Sequence, residues 1–233
     1  MIRNILFSII FFTGIIFISI IFLPSFFLPR KIVLIGGKLM GFWTGICLRF
    51  ILSVKILIKG EENIIKENKF FIAASHQSMF ETFYLQTIFN SPVFILKKEL
   101  LQIPIFGWYL KKIGSISIVR NKTTKNNLGF YDEISELINK SDRPLIIFPQ
   151  GTRLSPEDRS PFKKGASKIY DKLKIKCQPV AINSGYTWPK FGKKKANLNL
   201  TISILKPIEE GMSKEEFLKI LEENIYSELN KLN

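Results

Sequence analysis

The sequence predicts an α/β fold: a central mixed, largely parallel sheet flanked by helices, with an N-terminal membrane-embedded helical segment. Three observations carry this. From Val54 onward, short runs rich in Ile, Leu, Val and Phe alternate with helix-length runs, the pattern of strands and helices layered on one sheet. The 25 residues Asn4 to Leu28 carry no charge. The only histidine, His76, stands between a predicted strand and a predicted helix, where open α/β sheets expose their sites.

As a helix, Asn4–Leu28 is about 37 Å long, enough to cross ~30 Å of hydrocarbon, with Pro24 expected to kink or end it. A cleaved signal peptide is the competing reading. The apolar run exceeds the usual ~7–15 residue core of such a peptide, and no small-x-small cleavage site follows, so a retained anchor is expected. In the next stretch, Lys31 to Leu52, the residues Lys31, Lys38 and Arg49 fall within about 20° of one another on a helical wheel. Such a basic stripe suits an interfacial helix facing lipid phosphates. Gly37, Gly41 and Gly45 recur beside it, a small-residue ridge expected to pack on the first segment. Residues 1–52 are thus read as a membrane anchor and 53–233 as a second, globular domain.

In that domain Val54–Ile58 alternates like a strand and Glu61–Asn68 is a polar turn. Strands are expected at 70–75, 93–97, 116–119, 145–148, 179–183 and 198–205. Helices are expected at 80–89, 105–113, 126–139 and 163–172, the third with Leu128, Tyr131, Ile134 and Ile138 on one face. Ser213 followed by Glu216 forms a capping box for a final helix.

The formal net charge is +15, from 34 Lys and Arg against 19 Asp and Glu. Residues 209–233 hold seven acids and three lysines, net −4, so residues 1–208 carry +19. Such an excess suits a polyanionic partner, and the apolar N-terminus favours a membrane surface and phosphate-bearing substrates over nucleic acid. Cys47 and Cys177 form no framework and read as buried apolar residues. The lack of a CxxC or Cys/His cluster argues against a zinc site, and no metal is expected.

Glu81 follows His76 by five positions, in or near the first turn of the predicted helix, within plausible reach of the imidazole. A carboxylate that fixes the tautomer of a histidine makes it a general base. Downstream, Phe148-Pro149-Gln150-Gly151-Thr152-Arg153 runs from a buried strand into a glycine turn, which can offer backbone N–H groups and an Arg fork to an anion. Lys163, Lys164 and Gly165 then open a helix. Gly114 to Arg120 is a strand ending in Arg. Gln178 to Gly185 is a strand ending in a small polar turn, and on its own reads as scaffold.

In this order, these four segments resemble the glycerolipid acyltransferases, specifically the bacterial 1-acyl-sn-glycerol-3-phosphate acyltransferase (lysophosphatidic acid acyltransferase) family. The family's motifs are Asn-His-x4-Asp, Gly-x-Ile-x-Ile-x-Arg, Phe-Pro-Glu-Gly-Thr-Arg and a Pro-bearing strand. Ser75, Glu81 and Gln150 depart from them. The resemblance covers about residues 50–210 and makes 53–233 a catalytic domain. It implies that His76, oriented by Glu81, deprotonates the sn-2 hydroxyl of lysophosphatidic acid. That oxygen then attacks the thioester of acyl-CoA or acyl-carrier protein, a co-substrate rather than a cofactor, giving phosphatidic acid for phospholipid biosynthesis. It also implies that Arg120, Gly151, Thr152 and Arg153 hold the acceptor phosphate. Lys97, Lys98 and Lys164 are further candidates from charge alone, and Gln150 removes a negative charge beside the supposed acceptor site.

The expected location is the bacterial inner (cytoplasmic) membrane, with the catalytic domain on the cytoplasmic face. Two other readings stand beside this one. Gln150 motivates an acyltransferase acting on another lysophospholipid or a lyso-aminolipid. The loop Tyr186 to Lys195, aromatics among lysines, motivates a non-catalytic protein binding anionic lipid or nucleic acid.

Overall fold

A computed structural model describes residues 2–67, 69–118 and 129–232. Helix α1 (Ile2–Ile21) and helix α2 (Arg30–Ile51) form a hairpin. Pro24 lies in a short 3-10 turn, Leu23–Phe27, that ends the first helix before Leu28. Their side-by-side contacts run in opposite senses: Gly14 lies under the Trp43 ring and Gly36 under Phe22. The Trp43 indole N–H donates to the Phe11 carbonyl at 3.2 Å.

Gly37, Gly41 and Gly45 do not face α1, contrary to expectation. They meet helix α3 (Phe80–Ile88): a Cβ on them would strike Gln86, Thr87 with the Phe83 carbonyl, and Tyr84 respectively. The ridge brings α2 close to the helix that carries Glu81. A wheel shows that such a ridge exists but not which neighbour it meets.

The strands are β1 (Lys55–Lys59), β2 (Phe71–Ala74), β3 (Val93–Lys97), β4 (Ile116–Ile118), β5 (Leu145–Ile147), β6 (Cys177–Ile182) and β7 (Asn199–Ile204), in the order β1-β7-β6-β2-β5-β3-β4. All pairings are parallel except β6 with β7. Helices α4 (Phe106–Lys112), α5 (Phe130–Asn139), α6 (Gly165–Leu173) and α7 (Lys214–Lys231) complete the fold. Ser213 caps α7, its hydroxyl accepting the Glu216 N–H at 3.2 Å.

Alternate residues of a strand face opposite sides of a sheet. Here Ile72 and Ala74 join Phe7, Leu48 and Phe80 in one core, whereas Phe71 and Ala73 join Ile134, Tyr170 and Phe217 in the other. The helical hairpin thus caps one face of the sheet, and α5, α6 and α7 cap the other. Cys47 and Cys177 are buried and unbridged, as expected.

Ile9, Phe17, Phe27, Ile35 and Phe50 are exposed on the hairpin. Helix α1 is long and apolar enough to cross a membrane and is scarcely buried by protein. Helix α2 meets the same length and composition test. An apolar surface this large marks a membrane contact, and the chain is membrane-associated.

Candidate active site

Strand order builds the site. Strand β2 lies between β5 and β6, parallel to both, so the segments that follow these three strands emerge side by side at one sheet edge. They are Ser75–Glu81, Phe148–Arg153 and Asn183–Gly185.

His76 follows β2 and stacks on Phe148, with ring centroids 4.0 Å apart and planes 17° apart. Its backbone is held from both sides. The His76 N–H donates to Gln150 Oε1 at 2.6 Å, and its carbonyl accepts the Leu154 N–H at 2.9 Å. Next to it, the Ser75 hydroxyl donates to the Ile182 carbonyl at 3.2 Å and accepts the Ile182 N–H at 2.8 Å. Serine at this position therefore stitches β2 to β6.

Glu81 sits in the first turn of α3, fully buried. A buried carboxylate needs its lone pairs satisfied. The Gln77 N–H donates to Oε1 at 3.2 Å, the Ser78 N–H reaches both oxygens at 3.2 and 3.1 Å, and the Ser184 hydroxyl donates to Oε1. Oε2 is left facing His76 Nδ1 at 3.4 Å. That is close but long for a hydrogen bond, and Nδ1 is buried with no other partner. Such contacts are often slack without substrate and tighten with it. With Nδ1 turned to the acid, Nε2 is the nitrogen left for a substrate.

His76 lines a cavity of about 540 Å³, within the usual range for ligand sites. The cavity reaches between α2, α3 and α4 past Val33, Met40, Phe83 and Leu110. Its lining also includes Lys97, Thr152, Arg153 and Lys190. Gly151 has φ +73°, a left-handed conformation that only glycine adopts without strain, and it turns the chain so that Thr152 and Arg153 reach the cavity.

Three expected residues are placed elsewhere, and a fourth is not described. Arg120 lies outside the described residues. Lys98 and Lys164 are exposed, and neither lines the cavity. Gln150 is 3% exposed and lies beneath the His76 backbone rather than beside a substrate. Sequence reasoning missed Ser184, Lys190 and the ring contact of Phe148.

The family model described as Acyltransferase matches residues 55–183, more than half of the chain. The chain belongs to the Acyltransferase family. Among its relatives in that family, a 1-acyl-sn-glycerol-3-phosphate acyltransferase of Pseudomonas aeruginosa is 32% identical over 144 residues, covering 62% of this chain and 55% of the relative. One of Saccharomyces cerevisiae is 30% identical over 194 residues, covering 78% of this chain and 63% of the relative. The chain thus spans a little over half the length of these two acyltransferases. The crystal structure of the 1-acyl-sn-glycerophosphate acyltransferase PlsC from Thermotoga maritima superposes with a TM-score of 0.79 at 25% identity, covering 100% of this chain and 98% of that one.

Proposed function

We propose that this membrane-associated Acyltransferase-family chain transfers an acyl group to the sn-2 hydroxyl of 1-acylglycerol-3-phosphate. The thioester of acyl-CoA or acyl-carrier protein is the donor and phosphatidic acid the product. The observation that carries this is the buried Glu81 carboxylate facing His76 Nδ1, at a largely apolar cavity whose lining includes the cations Lys97, Arg153 and Lys190. The relatives in the family support the same acceptor.

His76 Nε2 takes the proton of the hydroxyl as its oxygen bonds to the thioester carbonyl carbon. Glu81 stabilises the imidazolium that results. The tetrahedral oxyanion collapses, the C–S bond breaks, and the imidazolium returns its proton to the leaving thiolate. No acyl group rests on the protein.

Arg153 and Lys97 supply cations for the acceptor phosphate, with Thr152 and the turn at Gly151 placing Arg153. The apolar length of the cavity suits an acyl chain reaching in from the bilayer. The burial of Gln150 away from the cavity leaves no observation that favours an acceptor lacking phosphate. The reading places the hairpin in the bacterial inner membrane, with the catalytic domain on the cytoplasmic face, where acyl thioesters are available.

The test is acyl transfer from radiolabelled acyl-CoA and acyl-carrier protein to a panel of lysolipids by the purified full chain. Labelled phosphatidic acid is the expected product. Transfer to another lysolipid but not to lysophosphatidate would overturn the choice of acceptor.

A further inference from the structure

The loop after β6, Tyr186 to Lys195, stands out in the sequence for its aromatics and lysines, and the proposed function leaves it unused. The structure pins both sides of it to α1. Trp188 is buried edge-on against Phe7 and Phe11, with ring centroids 5.1 Å away in each case. The Asn4 side-chain amide bonds the Lys194 backbone twice, donating to its carbonyl at 2.5 Å and accepting its N–H at 2.9 Å. The Lys194 ammonium donates to Ser8 Oγ at 3.2 Å and lies over the Phe7 ring.

Between these staples lie Pro189, Lys190 and Phe191, of which Lys190 lines the cavity. Lys190 Nζ donates to Thr152 Oγ1 at 3.3 Å and lines the same cavity as His76, Lys97 and Arg153. Among the described residues, none of these three cations is within ion-pair distance of a carboxylate. Cations that line one cavity repel one another unless an anion sits among them, and a phosphate monoester carries the charge to do so. Phe191, beside Lys190, is 80% exposed, a side chain suited to the lipid edge from which a lysolipid enters.

We propose that Lys190 is a further phosphate ligand for the acceptor, held at the cavity by helix α1 through Trp188 and Asn4. Lys190 thereby selects lysolipids with a terminal phosphate over those with a capped headgroup. This rests on the function proposed above.

The experiment compares steady-state kinetics of the full-length wild type, Lys190→Met and Lys190→Arg in mixed micelles. 1-Acylglycerol-3-phosphate and acyl-CoA are varied in turn. Lys190→Met is expected to raise the acceptor KM about 10-fold, the scale of one lost charge-assisted contact made equally in ground and transition states. It should leave kcat and the acyl-CoA KM within about 2-fold, and Lys190→Arg should keep the wild-type acceptor KM within about 3-fold. Trp188→Ala, which loosens the staple without touching substrate, is expected to raise the acceptor KM as well. An unchanged acceptor KM in Lys190→Met, or a rise in the acyl-CoA KM instead, overturns the assignment while leaving the function intact. A wild type that acylates no phosphorylated lysolipid overturns the function and this assignment together.

Discussion

The Ser184 hydroxyl donates to Glu81 Oε1, joining the turn after β6 to the first turn of α3 across 103 residues of sequence. The Gln77 N–H also donates to Oε1 and the Ser78 N–H is shared between the two oxygens, and Oε2 is the oxygen that meets His76. Glutamate is one methylene longer than the aspartate of the resembling motif, and here it accepts the Ser184 hydroxyl.

Ser184→Ala removes that donor and lets the carboxylate rotate away from the imidazole. A hydrogen bond to a charged group contributes about 1.5–3 kcal/mol. The expected outcome is a fall in kcat of about 10-fold with the acceptor KM little changed, read from steady-state kinetics. An undiminished kcat would show that the backbone N–H groups suffice to aim Glu81.

Gln150 acts on His76 from below. Gln150→Leu leaves the His76 N–H buried without a partner, a loss of about 1–3 kcal/mol, and should lower both the thermal midpoint and kcat. Gln150→Glu keeps an oxygen at the same place and should retain most activity. Equal damage from both changes would mean that an oxygen accepting the His76 N–H is not what this position supplies.

Gly41 lets α2 meet α3 backbone to backbone. A Cβ there would lie 2.6 Å from the Phe83 carbonyl oxygen and 2.5 Å from Thr87 Cγ2, so Gly41→Ala must push the helices apart. Overpacking of this kind costs about 1–3 kcal/mol. Gly165→Ala, which meets nothing within 4 Å, is the matched control and should be neutral. Thermal unfolding in detergent compares the two.

Tyr226 on α7 donates its hydroxyl to the Ser160 carbonyl at 2.5 Å. Burial pushes its pKa up to about 12 from 10.0, partly offset by the Gln150 side chain. For a group whose folded pKa is raised, the stabilisation is complete below the unfolded value and is lost as pH rises through the folded one. Stability should therefore fall between about pH 10 and 12, and Tyr226→Phe should fall less steeply over that window. Parallel pH-dependent melts of the two proteins make the comparison.

Much of this was legible in the sequence, because strands, helices and caps are set by local patterns. Val93–Lys97 reads as a strand, Phe80–Phe89 as a helix and Ser213 as a cap; the strand and the cap are found so, and the helix runs to Ile88. The pairing of His76 with Glu81 was legible for the same reason, since the two lie five residues apart across one turn. Ser184 and Gln150 were not legible as partners of that pair. Their contacts depend on β6 and β5 flanking β2, and hydrophobic periodicity carries no strand order. Nor was the role of Lys190, because a loop's lysines look solvated until the aromatic that anchors the loop, Trp188, is seen against α1. The glycine ridge of α2 was visible, but its partner was not.

The most direct test of the central claim is the turnover of His76→Ala with lysophosphatidate and a saturating acyl thioester, alongside a melt that confirms the fold. A general base removed from its proton predicts a fall in kcat of at least ~10²-fold, with the protein still folded. A folded His76→Ala variant that makes phosphatidic acid at close to the wild-type rate would contradict it.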